Sequence, residues 1–133
     1  WPVITLQMDS SEPDCAIFVY LEDVFPDGKI VCISEGMLRS IHRKNQVIDP
    51  HLPIPQHSFC QADAWPLVPG QIEEVTFALL PTAALIKRGH RIRAAIAGRD
   101  TGNFPAIPVS GTPVWKIQHG GELASSILLP ILP

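Results

Sequence analysis

The histidine side chains are the first candidates for metal binding, and their spacing is unfavourable for it. The five histidines are His42, His51, His57, His90 and His119. His51 and His57, followed by Cys60, form the one cluster dense enough to suggest a metal-binding loop. Structural zinc sites usually show tight ligand pairs, and this segment has none, so a solvated loop is the favoured interpretation. We therefore predict no metal site in this chain.

Hydroxyl and carboxylate side chains also lack the motifs of common hydrolytic and phosphate-binding sites. No Gly-x-Ser-x-Gly nucleophile elbow is present. Gly120 and Gly121 are not followed by the Lys-Ser/Thr pair and helix of a phosphate-binding loop. Glu73 and Glu74 are adjacent, so on a strand they point to opposite faces and cannot act as a catalytic pair. We therefore expect no cofactor and no catalysis by this chain alone.

A pair of arginines gives the strongest remaining indication of recognition. Arg91 and Arg93 are separated by one residue, so on a strand they share one face. That arrangement suits contact with an anion or with another domain. A solvated sheet edge is the alternative interpretation, and the spacing alone favours it.

The elements that position these side chains are predicted to be strands. The 14 prolines would break helices repeatedly, and no segment of ten residues has helical periodicity. Residues 81–87 could form one helical turn, residues 45–64 an irregular connection and residues 100–112 a loop. An all-β sandwich or barrel follows. Strands are predicted near residues 3–8, 14–25, 29–41, 72–80, 90–98, 113–119 and 126–131.

The strand over residues 14–25 is apolar on both faces, which is typical of a strand covered on both sides. Pro26-Asp27-Gly28 predicts a turn that joins it to the next strand as a hairpin. Gly36 within that next strand suggests a bulge or bend. The residues predicted to be buried between two sheets are Ile17, Val19, Leu21, Val75, Phe77, Ile92, Ile96 and Ile117.

Length and charge exclude several classes of protein. A chain of 133 residues is expected to form one domain. Its formal net charge of −3 gives no basic footprint for nucleic acid or an anionic membrane, and no apolar run approaches a membrane span. Three cysteines, an odd number, are expected to be free thiols in a cytoplasmic protein. The chain begins Trp1-Pro2 without an initiator Met, which suggests a domain excised from a larger protein.

Five segments, taken in order, resemble the C-terminal domain of the X-Pro dipeptidyl-peptidase and cocaine esterase (CocE/NonD) family of serine hydrolases. Each motif is weak alone, and their shared order makes the resemblance specific. The resemblance covers nearly the whole chain. The segments are Val24-Phe25-Pro26-Asp27-Gly28, Glu35 to Ser40 followed by Arg43, Val68-Pro69-Gly70 with Ile72 to Ala83, Lys87 to Arg93, and Ser125 to Pro130.

The resemblance implies a jelly-roll β-sandwich similar to galactose-binding domains. It further implies that the module packs on an α/β-hydrolase domain, which carries the Ser-Asp-His triad and has no counterpart here. The function expected is that of a non-catalytic accessory domain that helps to shape the substrate cleft. Arg39, Arg91 and Arg93 are candidates for fixing loops or an inter-domain contact through carboxylate forks. His90 joins them as a candidate structural residue.

A different class of function is an independent carbohydrate-binding module, in which exposed aromatic rings stack on sugars. Trp65 and Trp115 are its candidate residues, although Trp115 lies in a core-like alternation. For the accessory domain, by contrast, we expect an uncovered apolar patch on the isolated chain. Contact through Phe18, Tyr20 or the strand over residues 90–98 would then permit self-association.

Overall fold

The computed structural model describes residues 1–132, which form seven strands in two antiparallel sheets around one apolar core. The predicted all-β sandwich is confirmed, and a strand lies near each of the seven predicted positions. Two short 3-10 turns, Ser40–His42 and Gln61–Asp63, interrupt the connections. The strands are β1 (Val3–Ser10), β2 (Ala16–Val24), β3 (Ile30–Arg39), β4 (Glu73–Ala78), β5 (Arg91–Ala97), β6 (Trp115–Ile117) and β7 (Ser126–Leu128).

Sheet 1 is built on β1, which pairs with β4 on one side. On its other side, β1 pairs with β7 near its start and with β6 near its end. Sheet 2 has the order β3-β2-β5. The predicted hairpin is the β2–β3 pair, and Gly28 in its turn has the positive φ of +89° that glycine adopts readily.

The core forms where the inward-facing side chains of β1 and β2 meet; β1 alternates buried and half-buried residues, whereas β2 is buried on both faces over Ala16 to Val19. On β1, Ile4, Leu6 and Met8 are buried, and on β2, Ile17 and Val19 are fully buried. These two rows meet between the sheets. Five of the eight predicted core residues are confirmed as buried, and Ile117 is partly buried against the core. The five are Ile17, Val19, Leu21, Val75 and Phe77.

The prediction that Ile92 and Ile96 are buried is wrong. Both side chains lie on the inner face of sheet 2, because Ile96 pairs with the buried Val19 and Ile92 lies four residues earlier on the same strand. They are nevertheless 47% and 37% exposed. The reason is that β5 is the edge strand of sheet 2, and the strands of sheet 1 do not cover its inner face.

Two local predictions need correction. Residues 81–87 form no helical turn. The bulge of β3 lies at Ile33, since Leu21 pairs with Ser34 and Glu22 pairs with Cys32. Gly36 instead permits a close approach: a Cβ there would lie 2.7 Å from Leu79 Cδ2.

The two long edges of the sandwich differ. At one edge, which we call the closed edge, β3 meets the chain after β4. Leu80 N–H donates to the Glu35 carbonyl at 2.8 Å, and Ser34 Oγ donates to the Leu80 carbonyl at 2.6 Å. At the other, the open edge, β5 pairs with β2 alone among the described strands. Within residues 1–132, no helix is long and apolar enough to cross a lipid bilayer.

Candidate functional site

His90 is held at the start of β5 by a carboxylate and an aromatic ring. Gly89, with φ of +90°, turns the chain directly before it. The Nδ1 atom of His90 lies 2.9 Å from both carboxylate oxygens of Asp23, and both side chains are almost fully buried. The ring of Phe25 packs on the imidazole with centroids 4.3 Å apart. His90, which directly precedes β5, therefore links the start of that strand to the β2–β3 hairpin.

A histidine oriented by a buried carboxylate is also two-thirds of a catalytic triad. A triad additionally needs a nucleophile within hydrogen-bond reach of the imidazole. In the described part of the chain, no serine, threonine or cysteine is hydrogen-bonded to His90. The geometry around His90 accordingly supports a structural role.

The three candidate arginines have different surroundings. Arg39 Nη2 lies 2.6 Å from Asp14 Oδ2, and its Nε donates to the same oxygen at 2.8 Å. Arg93 Nε donates to Glu22 Oε2 at 2.5 Å, and that bond raises the pKa of Arg93. Arg91 is exposed and lies within 4 Å of no carboxylate of residues 1–132.

All three arginines lie on the outer face of sheet 2 but not in one cluster. Arg39 pairs with Ala16 at one end of β2, whereas Arg93 pairs with Glu22 near the other end. Six residues of strand separate those positions, which corresponds to roughly 20 Å. The structure thus brings Arg91 and Arg93 together and leaves Arg39 apart.

Between the arginines, the outer face of sheet 2 forms a concave site that we call the aromatic pocket. Its volume is about 270 Å³. Phe18, Tyr20 and Met37 line it from the sheet. Asp100 and Phe104 line it from the loop after β5. Phe18 itself is 4% exposed because Phe104 covers it, with ring centroids 5.3 Å apart. Another domain packed on this face would therefore contact Phe104 rather than most of the Phe18 ring.

Sequence reasoning missed Arg43 as a functional candidate, although this residue lies within one of the motifs quoted above. Its side chain is buried and its Cζ lies 4.4 Å from the ring centroid of Trp65. The guanidinium donates to the carbonyls of Trp65 and Pro66 and lies 3.4 Å from Glu73 Oε2. Arg43 therefore ties the segment after β3 to residues 65–66, which follow the long connection, and to β4.

The two tryptophans do not form a common platform for a sugar. Trp65 is 55% exposed, and the guanidinium of Arg43 packs on its ring. Trp115 packs against Gly98, where a Cβ would lie only 3.0 Å from the indole ring. The two rings line separate cavities.

The loop that contains His51, His57 and Cys60 is held by aromatic contacts. Phe59 lies between the rings of His42 and His57, with centroid distances of 5.5 and 5.9 Å. Burial lowers the pKa of His57. Across residues 1–132, no three His, Cys, Asp or Glu side chains lie together in a way that could hold a metal ion.

Comparison with known proteins decides the family. The family described as the X-Pro dipeptidyl-peptidase C-terminal non-catalytic domain matches residues 1–119. The chain belongs to this family. The resemblance inferred from the five motifs is thereby confirmed.

Curated relatives of this X-Pro dipeptidyl-peptidase C-terminal domain are much longer proteins. One, from Mycobacterium bovis, is named "Putative serine esterase Mb1866c" and is 45% identical over 132 residues, which are 98% of this chain and 21% of the relative. Another, from Mycobacterium tuberculosis, is named "Putative serine esterase MT1883" and has the same identity and coverage. The cocaine esterase of a Rhodococcus species is 28% identical over 142 residues, which cover 96% of this chain and 22% of the esterase. The chain thus spans about a fifth of the length of these relatives.

Proposed function

We propose that this chain is the accessory domain of a larger serine hydrolase, that it packs on the catalytic domain and that it forms part of the wall of the substrate cleft. Family membership supports a non-catalytic role. The relatives' length supports a larger parent protein, in which a catalytic region accompanies this domain. Two relatives are named as a serine esterase and a cocaine esterase. We therefore assign the parent protein to hydrolases of acyl esters or Xaa-Pro peptides.

The observation that carries this proposal is the open edge. Ile92 and Ile96 lie on the inner face of sheet 2, where core residues are expected, and are nevertheless exposed. An unpaired strand edge with exposed apolar side chains favours association with another chain or domain. Packing of the catalytic domain on β5 would bury both isoleucines and leave Arg91 at the rim of the contact.

The proposal also places the catalytic work outside this chain. His90 and Asp23 stabilise the hairpin, and residues 1–132 present no nucleophile beside them. We expect purified chain to hydrolyse neither p-nitrophenyl acetate nor Gly-Pro-p-nitroanilide. Turnover that survives purification and is abolished by a substitution such as His90→Ala would overturn the non-catalytic assignment.

The association itself can be tested with the parent protein divided into two parts, this chain and the catalytic remainder. Calorimetric titration of one part with the other should show binding. Ile96→Asp should abolish it, because the substitution places a charge in the middle of an apolar contact. Leu128→Asp is the matched control, since Leu128 is an exposed aliphatic residue on β7, an edge strand of sheet 1. Equal loss in both variants, or no loss in Ile96→Asp, would contradict docking through β5.

The proposed location is the cytoplasm, because the three cysteines are unpaired in the structure and free thiols persist in reducing compartments. Cys15 is buried in the core, and burial raises the pKa of its thiol. Cys32 and Cys60 are exposed. Fractionation of cells that express the parent protein tests the assignment, with recovery in an oxidising compartment as the opposing result.

A further inference from the structure

The aromatic pocket on the outer face of sheet 2 combines apolar walls with two carboxylates. Its walls are the rings of Phe18, Tyr20 and Phe104. Glu35 on β3 and Asp100 in the loop after β5 also line the pocket. A cavity of about 270 Å³ is of a size for one side chain rather than a large ligand.

Hydrogen bonds hold the carboxylate of Asp100 in place. Tyr20 Oη donates to Asp100 Oδ2 at 3.1 Å, and Asn103 Nδ2 donates to both carboxylate oxygens at 3.1 and 3.0 Å. The bond from Asn103, followed by that from Tyr20, lowers the pKa of Asp100. Desolvation raises the pKa of Tyr20, and its hydrogen bond to Asp100 and the nearby charges of Asp100 and Glu35 raise it further.

Neither carboxylate of the pocket has a cation beside it. Within residues 1–132, Arg39 pairs with Asp14 and Arg93 pairs with Glu22, and the unpaired Arg91 on the same face does not line the pocket. Arg99 precedes Asp100 in the chain but lines a different cavity. The carboxylates of Glu35 and Asp100 therefore form an ion pair with no Lys or Arg of the described residues.

We propose that the aromatic pocket receives an arginine side chain from the catalytic domain of the parent protein. This inference rests on the proposed function and names a contact within it. A guanidinium fits both features of the pocket, because its plane stacks on aromatic rings while its N–H groups bind carboxylates. An apolar side chain would instead desolvate Glu35 and Asp100 without compensation. Charge complementarity thus selects a cationic occupant.

The two-part association experiment tests this contact when the variants remove charge without changing shape. Glu35→Gln and Asp100→Asn should each weaken binding of the chain to the catalytic remainder about tenfold, as expected for a hydrogen bond to a charged group. The loss should be smaller at high salt, which screens the pair. Glu122→Gln, in the loop between β6 and β7, is the matched control and should bind like the unmodified chain. Circular dichroism melts establish that each variant and the catalytic remainder are folded before their binding is compared.

Replacement of each arginine of the catalytic remainder by glutamine identifies the donor. One such substitution should weaken binding by about tenfold or more. Adding Glu35→Gln and Asp100→Asn to that arginine variant should cause little further loss. A lysine that behaves this way in place of an arginine would overturn the arginine assignment.

The outcomes separate this inference from the proposed function. Tight binding of the unmodified chain that is unchanged in folded Glu35→Gln and Asp100→Asn variants overturns the pocket contact alone. Absence of binding by the unmodified chain overturns both. If these variants lose self-association in sedimentation experiments but keep their affinity for the catalytic remainder, a second copy is the occupant and the inference is wrong.

Discussion

The closed edge and the open edge of the sandwich both contain an edge strand of sheet 2, but the two strands differ in what they contact. At the closed edge, backbone and hydroxyl hydrogen bonds join β3 to the chain after β4, and Gly36 lets Leu79 pack directly on the strand. At the open edge, β5 pairs with β2 only and leaves Ile92 and Ile96 in solvent. The contrast indicates that the closed edge stabilises the fold, whereas the open edge is available for association.

The largest expected effect is at the closed edge, in Arg43→Met. The substitution keeps an unbranched apolar stem but removes the guanidinium, which leaves the carbonyls of Trp65 and Pro66 without their donor and Glu73 without its partner. Loss of one member of a buried ion pair typically destabilises a protein by about 3–5 kcal/mol. Urea denaturation should show a decrease of this size in the free energy of unfolding. Arg91→Met at the open edge is the control, and equal effects in the two variants would remove the distinction between the edges.

A matched pair of isoleucines sharpens the comparison within sheet 2. Ile17 and Ile96 both lie on the inner face of sheet 2, but Ile17 is fully buried whereas Ile96 is exposed. Ile17→Ala should lower the free energy of unfolding by about 2–5 kcal/mol, and Ile96→Ala should change it by about 1 kcal/mol or less. If Ile96→Ala were as destabilising as Ile17→Ala, β5 would belong to a closed core in solution.

The next effect in size is that of Gly36→Ala. The added methyl group would lie 2.7 Å from Leu79 Cδ2 and 3.0 Å from the carbonyl oxygen of Ala78, which cannot easily shift. Overpacking of this kind destabilises by about 1–3 kcal/mol. Gly102→Ala is the control, because its Cβ would meet no atom closer than 3.9 Å. Thermal unfolding of the two variants should differ accordingly, and identical midpoints would refute the close approach.

The smallest effect is a pH dependence from His57, which lines the groove beside the closed edge. Burial lowers the pKa of His57 in the folded state below its value in the unfolded chain. The unfolded chain therefore takes up the proton first, and stability falls as the pH drops below the unfolded value of about 6.5. The unfolding temperature should decrease less between pH 7.5 and 5.5 in His57→Gln than in the unmodified protein. His51→Gln, in an exposed turn, provides the control.

Strand periodicity predicted much of this structure because burial on one face imposes alternation directly on the sequence. Ile17, Val19 and Leu21 follow that rule on a central strand, and their burial was predictable. Ile96 follows the same rule on β5, yet alternation does not encode strand order. Sequence alone therefore could not show that β5 is an edge strand beyond the reach of sheet 1.

The candidate site was less predictable because its contacts join residues distant in sequence. The spacing of Arg91 and Arg93 predicted their common face but not the pairing of Arg93 with Glu22. Arg43 carried a signal in its motif, whereas its carbonyl partners lie more than twenty residues further along the chain. The aromatic pocket depends on the loop that brings Phe104 over Phe18, and loop geometry leaves no periodic signature.

Hydrogen–deuterium exchange tests the central claim, that the open edge is covered in the parent protein, most directly. Amide exchange should be compared between this chain alone and the same residues within the full-length parent. Coverage of the open edge predicts that amides of β5 (Arg91–Ala97) exchange much more slowly in the parent, while those of β7 (Ser126–Leu128) exchange at similar rates in both. Equal exchange of β5 in the two proteins, or protection confined to β7, would contradict it.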